Sequence, residues 1–202
     1  MGNRIRRHAD PFQCRVAISA DDWTAQYEKA GKGEVWLDLG CGKGEFFASL
    51  AENHPDIFFI GIEVRRKIAT TFFCGHGHLS NLLLLHGNVN LSIPSMMGTV
   101  KARRVFIHFP DPCDHKARYR KRQMVNERLV EGIGTILAPD GIVSVKTDRR
   151  ALFEEMDGCF RSLMKPHYSG TGQSLLQNAA SEWEEECRKK SIPVFSMEYA
   201  LG

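Results

Sequence analysis

The chain has 202 residues, of which 43% are hydrophobic, enough to bury one core of ordinary globular size. Its 27 lysines and arginines against 24 aspartates and glutamates leave a formal charge of +3, too small to require a polyanionic partner, so any nucleic-acid argument rests on where the cations cluster. Six scattered cysteines (Cys14, Cys41, Cys74, Cys113, Cys159 and Cys187) include no Cys-x-x-Cys pair, which argues against a zinc site or disulfide framework and for reduced thiols in the cytoplasm.

In chain order, residues 1–33 are expected to form an N-terminal arm and residues 34–202 a single domain. The start MGNRIRRHADPF has no apolar run for a signal peptide, and Arg6 stands where a myristoylation signal after Gly2 needs Ser or Thr. Five short, almost unbroken apolar runs follow: EVWLDLG (34–40), IFFIGIE (57–63), NLLLLHG (81–87), RVFIHFP (104–110) and GIVSVKT (141–147). Bounded by Gly, Pro, Asn or Asp, they read as parallel strands buried on both faces. Helices are expected between and after them, over 45–53, 65–74, 121–137 and 149–164. In the tail, KPHYS is a candidate strand, 170–180 a mobile loop, SEWEEECRKK a helix and VFSMEYAL a last strand. No run is long enough to span a membrane, and there is no internal repeat. Regular alternation of strand and helix predicts an α/β, doubly wound open sheet whose ligand crevice lies outside the carboxyl ends of its strands.

The motifs fall at those ends. DLGCGKGEFF puts Asp38, then Gly40, Gly42 and Gly44, at the turn from first strand to first helix, where glycine lets backbone approach a ligand closely. The spacing fits neither Gly-x-Gly-x-x-Gly nor a P-loop, since Gly44 rather than Ser or Thr follows Lys43. A carboxylate ahead of the glycines also suits a cationic ligand better than a pyrophosphate. Glu63, ending the second strand, can accept both ribose hydroxyls, and Asn88 after the third offers an amide for an adenine edge. Adenosine with a cationic methionine end describes S-adenosylmethionine. The competing reading makes Asp38 a cap and Glu63 a surface charge. Likewise Cys74 to His78 (CGHGH) reads as a helix end and loop rather than a metal site.

FPDPCDHKARYRKRQ sets Asp111 between Pro110 and Pro112 and then runs into Lys116, Arg118, Arg120, Lys121 and Arg122. Taken with DLGCGKGEF, GIE, GN, KTD (Lys146 to Asp148) and SEWE (Ser181 to Glu184) before IPVF, the order and spacing resemble the bacterial tRNA (guanine-N(7)-)-methyltransferase (TrmB) family over nearly the whole chain. The resemblance implies a mostly parallel seven-stranded, Rossmann-like class I methyltransferase fold. It also implies methyl transfer from S-adenosylmethionine to a variable-loop guanine of tRNA. It assigns cofactor contacts to Asp38, Glu63, Asn88 and Asp111, with Asp111 also the proposed catalytic residue. Contacts to the substrate nucleotide fall on Lys116, Asp148, Ser181 and Glu184. The chain departs from the family in Cys113 for a usual Trp, an inserted Asp114, Tyr119 for His and Ser181 for Thr.

Guanine N7 carries a free lone pair and no proton, so attack on a sulfonium methyl needs alignment rather than a strong base. Asp111 is expected to orient the guanine or the cofactor and to balance charge moving onto the purine. The prolines pre-set its placement, no metal is needed, and the cations that follow hold RNA phosphates. The bland alternatives are a solvated helix face for those cations and a capping box for Ser181 and Glu184. Other functional readings are a methyltransferase for another RNA or a small molecule, and a non-catalytic RNA-binding relative. The expected partner is tRNA, with no membrane, and the assembly is a monomer or homodimer.

Overall fold

The computed structural model describes residues 11–31, 33–93, 95–113, 116–167 and 180–202. Strands β1 (Glu34–Leu39), β2 (Ile57–Glu63), β3 (Leu82–His86), β4 (Ala102–His108), β5 (Leu137–Thr147), β6 (Lys165–His167) and β7 (Phe195–Ala200) form one seven-stranded sheet in the order β3-β2-β1-β4-β5-β7-β6. The first five pair in parallel, while β7 runs antiparallel to both β5 and β6. The order reverses between β1 and β4, which opens a crevice at the carboxyl ends of those strands.

Two-sided burial explains the apolar runs. All seven residues of β2 are buried, and β1 is buried from Val35 onward. Their side chains alternate between two cores: Phe58, Ile60 and Ile62 join Val35, Leu37, Val105 and Ile107 on one face, while Phe59, Trp36 and Phe106 meet Phe46 and Phe47 on the other. The helices are α1 (Thr24–Ala30), α2 (Glu45–Asn53), α3 (Arg66–Phe72), α4 (Val89–Ser92), α5 (Glu127–Ile136), α6 (Arg150–Arg161) and α7 (Glu182–Lys189). Phe47 of α2 sits edge-on to both Phe59 and Phe106, with ring centroids 5.1 and 5.6 Å away, so α2 is pinned under the strands that carry the site.

Most boundaries shift by a few residues from the sequence expectation, and two shift furthest. The helix expected over 121–137 begins at Glu127, because Asn126 accepts a hydrogen bond from Leu129 N at 3.0 Å and caps it. Lys121 and Arg122 instead close a 3-10 turn over Ala117–Arg122. The strand expected from 141 begins at Leu137, which pairs with Ala102; the register then shifts, so the Pro-Asp-Gly stretch is a bulge inside β5 rather than a turn before it.

Within the segment expected as an arm, Ile18 and Trp23 are buried in the larger core. Trp23 donates from Nε1 to Met96 O at 2.6 Å, and Ile18 N to Ser92 Oγ at 3.0 Å. Residues 11–31 thus lie against the sheet; of the expected loop at 170–180 only Ala180 lies among the described residues, and Asp114 lies outside them.

Candidate cofactor and guanine site

The crevice begins where β1 ends. Gly40 N and Cys41 N both donate to Ile62 O, at 2.8 and 3.0 Å, tying the glycine turn to the end of β2. Gly42 and Gly44 take φ of 60° and 85°, left-handed values that favour glycine. A Cβ at Gly44 would come within 2.3 Å of Leu84 Cδ1, so this position is fixed by packing as well as by its backbone. Asp38 is 4% exposed and Glu63 2%. Burial first, and the neighbouring Glu63 charge second, push the Asp38 carboxyl up to about 8.

The Glu63 carboxylate accepts from Gly42 N at 3.1 Å and Arg65 N at 2.7 Å, and from the Arg65 guanidinium through Nε and Nη2 at 2.9 Å each. Hydrogen bonds to Glu63 foremost, with the charges of Glu63 and Asp111 adding, raise the Arg65 pKa; Arg65 therefore lies in the field of the acid between the two prolines. Arg65 was not among the sequence candidates. Its signal was faint: a cation two residues past Glu63, where α3 begins.

Asn88 does three things at once. Its Oδ1 accepts from Asn90 N at 3.0 Å and caps α4, while Nδ2 donates to Pro11 O at 2.8 Å and Cys14 O at 3.2 Å. The amide expected to face adenine is thus engaged with residues 11–14, which it holds beside the end of β3.

The Pro-Asp-Pro turn leaves β4 under backbone strain in its flanks: Phe109 and Cys113 have φ of 52° and 48°. Asp111 Oδ1 accepts from Cys113 N at 3.3 Å. Cys113 is buried beneath the turn rather than exposed as a stacking surface. Gln123 fastens the turn: Nε2 donates to Pro112 O at 3.0 Å and to Glu155 Oε2 of α6 at 2.9 Å. The basic run is ordered by stacking, since the guanidinium carbons of Arg118 and Arg122 lie 5.0 and 4.3 Å from the Tyr119 ring centroid. Lys116, Arg118 and Lys121 are exposed.

Helix α7 closes the crevice from the side. Ser181 Oγ accepts from Glu184 N at 3.2 Å, the first half of a capping box. The Glu184 carboxylate accepts instead from Lys146 Nζ, 3.0 Å from both oxygens. Lys43 of the glycine turn reaches Glu182 at 3.1 Å, so two of the three acids in the first turn of α7 hold it to the glycine turn and to β5. Asp148 stands one residue past the end of β5. Beneath them His108 ends β4, with Nε2 3.2 Å from Ser144 Oγ; burial, then the Lys146 ammonium, push its pKa well below the usual value, so it is a neutral imidazole. His76 Nε2 contacts Lys43 O at 3.2 Å, which gives CGHGH a packing role at the glycine turn. Among the described residues no group of three His, Cys, Asp or Glu side chains is placed to hold a metal ion, and no helix is long and apolar enough to cross a membrane.

Two buried carboxylates beside a glycine turn, at adjacent strand ends of a sheet ordered 3-2-1-4-5-7-6, fit a ligand that pairs a ribose diol with a cationic chain. That combination defines a class I, Rossmann-like methyltransferase dependent on S-adenosylmethionine. The solved structures agree on the fold: the aminoglycoside resistance methyltransferase NpmB1 superposes with a TM-score of 0.60 at 18% identity, covering 93% of this chain and 95% of that one. The 30S ribosomal A1408 methyltransferase from an uncultured bacterium also gives 0.60, at 17% identity over 93% and 99% of the two chains. Residues 32–197 match the Methyltransf_4 family of methyltransferases, and the chain belongs to the tRNA (guanine-N(7)-)-methyltransferase family. The enzyme of that name from Nostoc sp. (strain PCC 7120) is 31% identical over 95% of this chain and 91% of its own length. That from Synechococcus sp. (strain JA-3-3Ab) is 29% identical over 96% and 84%.

Proposed function

We propose that this protein transfers a methyl group from S-adenosylmethionine to N7 of a variable-loop guanine in tRNA, in the cytoplasm. The observation that supports it most is a single crevice holding the two buried acids, the glycine turn and the Pro-Asp-Pro turn, with an ordered basic run leading away from it. Glu63 takes the ribose hydroxyls, and Asp38 with Gly40, Gly42 and Gly44 receives the cationic methionine end. Asn88 acts at the adenine edge through the segment 11–14 that it holds there. The cofactor supplies an electrophilic methyl carbon on a sulfonium.

Asp111 orients the guanine and stabilises the positive charge that the purine gains, and it need not take a proton, because N7 has none to give. Strain at Phe109 and Cys113 and the Gln123 hydrogen bond to Pro112 O fix the backbone that carries Asp111, as alignment for in-line displacement demands. Lys116 and the arginines of the 3-10 turn engage phosphates, while Asp148, Ser181 and Glu184 line the substrate nucleotide's side of the crevice. The assignment is tested by incubating the protein with labelled S-adenosylmethionine and bulk unmodified tRNA, digesting to nucleosides, and running Asp111→Ala in parallel. Label in 7-methylguanosine that falls by at least about 100-fold in the variant is expected, the scale of losing one charge-stabilising group. Cofactor binding without label in tRNA sinks the assignment.

A further inference from the structure

An ionised carboxylate offers about four lone-pair positions, and at Glu63 four donors from its own chain fill them. Gly42 N and Arg65 Nη2 lie on Oε2, at 3.1 and 2.9 Å, and Arg65 N and Nε lie on Oε1, at 2.7 and 2.9 Å. A ribose diol needs two of these positions. The two backbone donors belong to the glycine turn and to the cap of α3, so neither can leave without refolding its element. The guanidinium can: the Arg65 side chain is 44% exposed against 3% for Glu63, and it swings on a flexible stem. It lies across the glycine turn, where a Cβ on Gly42 would come 3.8 Å from Nη2.

We propose that Arg65 is a positioning residue exchanged by the cofactor: its guanidinium holds the Glu63 carboxylate and yields both of its outward positions to the ribose diol when the cofactor binds. The exchange trades a fork of charge-assisted hydrogen bonds for two hydroxyl donors, so the acid is paired at every stage and no buried charge is left alone. It rests on the cofactor assignment alone.

The test compares the full-length protein with Arg65→Met and Arg65→Lys, each first shown to melt cooperatively. Calorimetry measures binding of S-adenosylhomocysteine. Removing the competing fork should tighten binding by roughly 3- to 10-fold in Arg65→Met. Arg65→Lys, which keeps the charge but loses the fork, should fall between wild type and Arg65→Met. A merely structural role would weaken binding. Equal or weaker binding in a folded variant overturns the exchange. A wild-type protein that binds S-adenosylhomocysteine yet never labels tRNA would sink the substrate assignment instead, and the binding comparison would still decide the exchange.

Discussion

With its carboxyl pushed up to about 8 by burial and by Glu63, Asp38 carries a proton at neutral pH in the protein alone. A sulfonium cation placed beside it favours the ionised form, so binding should expel that proton. Affinity for S-adenosylmethionine is therefore expected to rise between pH 6 and about 8 and then level off. Calorimetry in two buffers of different ionisation enthalpy should register proton release, and Asp38→Asn should lose both effects. The sign for stability is opposite. The carboxyl's pKa is about 8 when folded and 3.8 when unfolded, so the native state binds more protons in that window and stability falls as pH rises through it. Asp38→Asn should gain melting temperature over wild type by a margin that grows from pH 4 to pH 8.

At the scale of elements, the turn from β1 to α2 has less tolerance than its exposed neighbours. Gly44 combines a φ of 85° with a Leu84 methyl 2.3 Å from where its Cβ would stand. Gly44→Ala should cost about 1–3 kcal/mol in denaturant unfolding. Gly75→Ala, whose Cβ would meet nothing within 4 Å, should stay within about 0.5 kcal/mol. These elements were largely legible in the sequence: β2 spans the residues its apolar run predicted, and each other parallel strand overlaps its run, although β4 and β5 begin earlier than expected. The misreadings were local. Asn126 was not recognised as a helix cap, and the Pro-Asp-Gly stretch was read as ending a connection when it bulges within β5. Both failures come from signals that act through hydrogen bonds to particular partners, which apolar periodicity does not encode.

Across the whole molecule, a charge of only +3 leaves RNA binding to the exposed cations beside the crevice. Neutralising Arg118 and Lys121 together to Gln should reduce the slope of log affinity against log salt by about 1.4–1.8 for tRNA, at roughly 0.7–0.9 per phosphate contact. Cofactor affinity should be unchanged, because neither residue lies at the glycine turn. A slope that does not change would place the RNA on another face.

By itself the sequence determined the doubly wound sheet, the strand ends at which Asp38, Glu63, Asn88 and Asp111 stand, and the cofactor chemistry those ends suit. It could do so because burial on two faces and backbone close approach leave marks in consecutive residues. Only the tertiary structure decided what those side chains touch. It brought Arg65 onto Glu63, turned Asn88 toward residues 11–14, split the expected capping box by giving Glu184 to Lys146, and buried Cys113 beneath its turn. Such pairings depend on the directions of side chains, which an apolar pattern does not encode even for neighbours such as Glu63 and Arg65, and a hydrogen bond between residues 77 or 38 positions apart leaves no local pattern to read.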